Sequence, residues 1–255
     1  MRVRDRASGE PHARTPGGER LPGRGACGPP AGARCGAWLA ARAPLPCHGA
    51  MADEPTAVQL FGRGATPRDT RERILHTALD LFYAHGFHAV GLDRILAEVG
   101  VTKTTFYNHF ESRDALVLEC VKLRDTWEIE EFQRQVQARG GYDPRALLLA
   151  IFDVMDAWFN DERYRGCLFI AASAEFPSRS DPVHRAAAGH FTAIEADVRR
   201  MAEAAGSPDP PALARTWVLL IEGATTYRLV TGDGSIARTA AETARQVLDR
   251  HLPVA

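Results

Sequence analysis

The sequence contains no run of about 18 consecutive apolar residues, the length a helix needs to span a bilayer, so no membrane partner is expected and the protein is expected in the cytoplasm. It holds no G-x-S-x-G, no P-loop, no H-E-x-x-H and no dinucleotide-binding fingerprint following a strand. Nothing therefore assembles a catalytic constellation, and no enzymatic activity, cofactor or metal is expected. Cysteine is scarce: Cys27, Cys35 and Cys47 lie in the first fifty residues, leaving Cys120 and Cys167 beyond them. With no C-x-x-C pair, these two read as ordinary reduced thiols rather than metal ligands or a disulfide. An alternating apolar and polar pattern of useful length is missing, as is any internal repeat, which argues against a sheet. Excess positive charge is missing too. The 31 Lys and Arg stand against 32 Asp and Glu, so bulk charge does not favour nucleic acid and any such case rests on local placement.

What is present is a chain of 255 residues, 45% hydrophobic and 25% charged, long enough to bury a substantial core. The first fifty residues carry nine Gly, seven Pro and eight Arg against three acids, with almost no apolar periodicity. Such a segment buries too little surface to offset its ordering entropy, so residues 1–65 are expected to be a disordered extension. Its best apolar patch, Ala37 to Leu45, is interrupted by Arg42 and does not make a signal peptide. Met51 opens a more ordinary stretch, MADEPTAVQLF, and residues 1–50 read as the product of an upstream start codon. Without them the body is mildly acidic, 23 basic groups against 29 acids.

From residue 66 onward the pattern is helical. Thr66-Pro67-Arg68-Asp69 offers a cap, a Pro at the first helical position and an acid in the first turn. Ile74, Leu75, Ala78, Leu81 and Phe82 then share one face, and Gly86 ends the helix. A short helix from Leu92 to Glu98 is followed by a turn at Gly100 and a third helix from Lys103 to His109 capped by Thr102. Ser112 starts a long fourth helix that runs to Gly140. Asp143-Pro144, Asp181-Pro182 and Asp209-Pro210 each join a good N-cap to a Pro tolerated at N1, marking three later starts. Between them a shorter helix spans about Cys167 to Phe176, and Ser235 is expected to cap the last. The stretch from Pro210 to about Val230 is apolar nearly all round, which calls for cover on every side and suggests a partner subunit.

The three short elements fit a helix-turn-helix in which Ile95, Val99, Val101 and Phe106 lock the helices together and the polar face of VTKTTFYNHF is left for a DNA groove. GLDRILAEVGVTKTTFYNHFESRDAL resembles the DNA-binding signature of the TetR family of bacterial transcriptional regulators, and YRGCLFIAASAEF resembles the entry to that family's sixth helix. The resemblance covers residues 66–255 and implies an all-α, nine-helix fold. Residues 66–112 would form the helix-turn-helix domain and residues 113–255 a helical effector-binding and dimerisation domain. It implies DNA contacts from Arg71, Thr102, Lys103, Thr104, Tyr107, Asn108 and Arg113. His109 either joins them or caps and packs. Gly91 departs from the family's usual Ser or Thr, so one side-chain phosphate contact is lost, though its N–H at a helix start can still serve.

The partners implied are an operator in double-stranded DNA, a second copy of the chain and a small-molecule effector. The seam between copies would use Trp217, Leu220, Ile221, Ala224 and Leu248. The effector would touch some of Trp127, Phe152, Met155, Trp158, Phe159, Phe169 and Phe176. Glu175 and Glu222 lie inside apolar runs, where an unpaired charge is costly, so each either pairs with an Arg or meets a polar or cationic effector. The function implied is that of a dimeric repressor released by its effector; the alternative is a helical ligand- or partner-binding protein without DNA binding.

Overall fold

The structure, a computed structural model, describes residues 67–252. The expected extension over residues 1–65 and the cap at Thr66 lie outside the described residues. Those described form nine helices and no strand: α1 (Thr70–His85), α2 (Leu92–Val99), α3 (Lys103–Tyr107), α4 (Arg113–Gly140), α5 (Pro144–Phe159), α6 (Leu168–Glu175), α7 (Pro182–Ala204), α8 (Pro210–Thr231) and α9 (Ile236–His251). None is long and apolar enough to cross a membrane.

The punctuation acts as its chemistry requires, with two shifts. Helix α1 starts three residues later than expected, because Asp69 accepts from the Glu72 N–H while Glu72 accepts from the Arg68 N–H at 2.7 Å, a reciprocal cap that leaves Pro67 outside. Asp143, Asp181 and Asp209 each cap the helix that opens on the following Pro. Ser235 occupies the N-cap position of α9 but does not cap it; its hydroxyl donates to Asp233 Oδ1 at 2.6 Å instead.

Two hydrophobic cores result. The first gathers Phe82, Phe87, Ile95, Phe106 and Phe110 around the opening half of α4, and Phe169, Ala172 and Val183 of α6 and α7 complete it. The second packs Leu148, Phe152 and Phe159 of α5 against Trp217 of α8 and Leu248 of α9. Each large side chain so buried contributes about 1.5–3 kcal/mol. Helix α4 runs through both cores, packing on α1 at one end and on α5 and α7 further along.

Candidate nucleic-acid interface and interior cavity

The turn between α2 and α3 depends on Gly100, whose φ of 76° lies in the left-handed region and whose N–H donates to the Leu96 carbonyl at 2.9 Å. Thr102 then caps α3, its hydroxyl accepting from the Thr105 N–H at 3.1 Å. Phe106 is fully buried and stacks on Phe110 at 5.5 Å. The same five-residue helix leaves Thr102, Lys103, Thr104, Asn108 and His109 exposed, with Tyr107 at 56%. Lys103 Nζ lies 2.9 Å from Asp93 Oδ1 on α2, both exposed, so the cation is held across the face of the two helices. That pairing is weak in water, so parting the two groups costs little.

Two of the expected DNA contacts are committed elsewhere. Arg113 turns inward, donating to the Val90 carbonyl at 3.1 Å and to the Phe87 carbonyl, with its guanidinium 5.5 Å over the Phe82 ring. It fastens the loop before α2 rather than facing solvent. Arg71 pairs with Glu119 of α4 and stands 4.9 Å over the Phe110 ring, though it stays 41% exposed. Gly91 occupies the N-cap of α2 with no side-chain cap, as its lack of a side chain dictates.

A second site lies inside the body, a cavity of about 70 Å³ walled by α4, α5, α7 and α8. Of the residues expected to touch an effector, Met155, Trp158 and Glu222 line it. The others are placed elsewhere by the packing. Phe152 leans on Trp217 at 5.9 Å, Phe159 on Tyr164 at 5.3 Å, and Trp127 meets His76 edge-on at 4.9 Å. Phe169 stacks on His190 at 3.6 Å, and Phe176 meets Phe87 at 5.8 Å in the first core. Glu175, at the end of α6, accepts from the Phe87 and His88 N–H groups at 2.9 and 2.6 Å and meets His88 Nδ1 at 2.9 Å. Its carboxylate is thus spent on the loop after α1. Gly86 permits this approach: its φ is 86°, and a Cβ there would sit 2.9 Å from Glu175 Oε1.

Sequence reasoning missed Phe132, Glu128, His190, Asp197 and Thr225, which come to the cavity from three helices. A signal for Thr225 was available, since it lies three residues after Glu222 and so on the same helix face. Glu222 Oε2 is buried with no hydrogen-bond partner in the protein, and burial pushes its carboxyl up to about 7. Thr225, 2% exposed, has an unpartnered Oγ1. Cys120 and Cys167 are both free and buried, and burial raises both thiols, which makes them poor nucleophiles.

The expected seam also sorts differently. Trp217, Ile221, Ala224 and Leu248 are buried within one chain, and the Trp217 indole donates to the Leu148 carbonyl at 3.0 Å. Leu220 is partly buried against the same core. The apolar side chains that α8 leaves in solvent are Leu219 at 74%, Val230 at 77%, Leu229 at 52% and Tyr227 at 48%.

Residues 74–120 match the family profile described as bacterial regulatory proteins, tetR family, and residues 144–244 match a tetracyclin repressor-like C-terminal domain. Over 178 residues the chain is 24% identical to the HTH-type transcriptional regulator YjdC of Escherichia coli, covering 70% of this chain and 93% of that one. A stretch of 130 residues is 32% identical to the uncharacterized HTH-type transcriptional regulator YxaF of Bacillus subtilis, 50% of this chain and 67% of that protein. Among solved structures, a TetR-family transcriptional regulator from Streptomyces coelicolor superposes with a TM-score of 0.65 at 32% identity, covering 71% of this chain and 95% of its own.

Proposed function

The chain belongs to the tetR family of bacterial regulatory proteins and is a DNA-binding transcriptional regulator, and from that premise we propose that it is a cytoplasmic, homodimeric repressor whose hold on its operator is loosened when a small molecule enters the cavity. One juxtaposition carries the reading. A rigid α3 offers polar side chains to solvent while an apolar cavity with unpartnered polar atoms lies in the same chain.

Lys103, Thr104 and Asn108 are the side chains offered to base edges, with Thr102 and Tyr107 placed for phosphate and His109 beside them. Arg71, half-exposed over Phe110, reaches phosphate only by leaving Glu119. One such helix reads few base pairs, so two copies address half-sites about 34–36 Å apart or a multiple of it. The pairing surface is the exposed edge of α8, where Leu219 and Val230 sit three turns apart on one face.

Coupling has a short path. Cys167, the N-cap residue of α6, lines the cavity, and Glu175, the last residue of α6, grips the Phe87 and His88 N–H groups. Arg113 holds the Phe87 and Val90 carbonyls of the same loop, which leads into α2. A guest that displaces Cys167 moves α6, and α6 moves the loop that sets the angle of the reading head. A coupling of roughly 1–3 kcal/mol is usual for such linkage, and operator DNA then weakens the guest's binding by the same factor.

The test is an electrophoretic shift with DNA from the region upstream of the protein's own gene. The wild type should shift it, and Lys103→Ala with Tyr107→Ala should abolish the shift without lowering helicity. Leu219→Asp should yield monomers on sizing and lose the shift as well. A double variant that still shifts the DNA would remove α3 from the interface.

A further inference from the structure

The cavity has a chemical bias that narrows its ligand, and the inference rests on the effector reading only in taking the cavity as a ligand site. Its walls are mostly apolar, with the rings of Phe132 and Trp158 and the flexible Met155 among them. The charged and titratable groups facing it are Glu128 from α4, Cys167 from the start of α6, His190 and Asp197 from α7, and Glu222 from α8. No Lys or Arg is among the described residues that line it.

Two of the carboxylates are already satisfied. Glu128 is paired with Arg124 at 2.7 Å, and Asp197 is paired with Arg200 and accepts from Gln133. His190 is held from behind by Asp125, whose Oδ1 lies 2.8 Å from its Nδ1. Glu222 is the exception, its Oε2 buried and unpartnered, and the Thr225 hydroxyl three residues on is unpartnered as well.

We propose that this cavity takes a small organic cation, an apolar body bearing one positive charge that Glu222 neutralises. An anion would meet carboxylates and no Lys or Arg. A neutral guest would leave Glu222 either ionised in an apolar site with only His190, already held by Asp125, to offset its charge, or protonated. A cation supplies the missing partner, and the faces of Trp158 and Phe132 attract it further. The position of the Glu222 carboxyl at about 7 fits this use, because it then gives up its proton to solvent as the cation arrives.

Titration calorimetry on the full chain without DNA separates the possibilities. The probes are choline, its neutral isostere 3,3-dimethylbutan-1-ol and the anion 3,3-dimethylbutanoate. Choline should bind roughly tenfold or more tightly than the alcohol, and the anion weakest of the three. Its affinity should rise about tenfold from pH 6 to pH 8 as a carboxyl with pKa about 7 ionises. Glu222→Gln should lower choline affinity by a comparable factor and flatten the pH profile; the wild-type profile alone carries the test if that variant misfolds. Equal binding of choline and the alcohol, preference for the anion, no choline binding, or a pH slope that persists in Glu222→Gln overturns the proposal. Failure here leaves the repressor reading standing. Choline that binds through Glu222 without loosening operator DNA would instead leave the ligand class standing and sink the release mechanism.

Discussion

In the first core, two charged side chains that reach inward are satisfied by backbone: Arg113 by the Phe87 and Val90 carbonyls, and Glu175 by the Phe87 and His88 N–H groups. In the second, Glu222 Oε2 and Thr225 Oγ1 are buried atoms that meet no hydrogen-bond partner in the protein. Satisfied groups fix one geometry, which suits the proposed presentation of Lys103, Thr104 and Asn108 to DNA. Unsatisfied groups cost stability, and that cost fits the occupancy proposed for the cavity. The two cores differ accordingly, one closed on its own backbone and one with polar atoms left over.

The largest effect is expected from removing the anchor of the helix-turn-helix core. Phe106→Ala should destabilise the reading head by about 3–5 kcal/mol, seen as an early transition on melting, because a fully buried ring leaves a cavity in a core that cannot collapse around it. A single, unshifted transition would show that the head is not the rigid element. Next comes Glu222. Its folded-state value of about 7 lies above the ordinary 4.5, so the protonated form favours the fold. The associated stability is fully present below pH 4.5 and is lost as pH rises through 7, by about 3 kcal/mol at most. Denaturant unfolding of the wild type should therefore weaken between pH 5 and pH 8 relative to Glu222→Gln, and parallel curves would refute it. Arg113→Ala should cost about 2 kcal/mol by stripping a charged donor from two carbonyls, and thermal melts at one pH suffice to check it. The smallest effect is a gain. Gly91→Ser places a hydroxyl at the bare N-cap of α2, where a Cβ meets nothing within 4 Å, and should raise the melting temperature slightly. A lower melting temperature would mean that α2 starts elsewhere.

Nearly all of the helical punctuation was legible in the sequence, since a cap and its helix are neighbours along the chain. The three Asp-Pro starts and the Gly100 turn needed no knowledge of the rest of the fold. The family signature was equally local, and with it the exposed side of α3. The sites that failed to appear depend on which face meets which. Helix α8 reads as apolar all round, yet Trp217 and Ile221 face their own chain whereas Leu219 and Val230 face solvent, and no periodicity within the helix distinguishes cover supplied by α7 and α9 from cover that a second copy would supply. Phe169 and Phe176 looked like effector contacts but serve the first core, Phe176 meeting the Phe87 ring and Phe169 stacking on His190 behind the cavity wall. His190 was overlooked although a histidine in the run AAAGHFTA is an unusual core residue; its role becomes visible only when Asp125 and Phe169 arrive from other helices.

The grip of Glu175 on the loop after α1 bears on how such proteins can be recombined. An exchange of reading heads between relatives, cut where α3 gives way to α4, would carry Phe87 and His88 into the chimera but leave their anchor, Glu175, behind in the original body. Arg113, just beyond the cut, would stay behind as well. A graft that transfers residues 67–112 alone should bind DNA loosely and respond poorly to any ligand, whereas one that also transfers α6 keeps donor and acceptor together. The exchangeable unit of this molecule is therefore discontinuous in the chain.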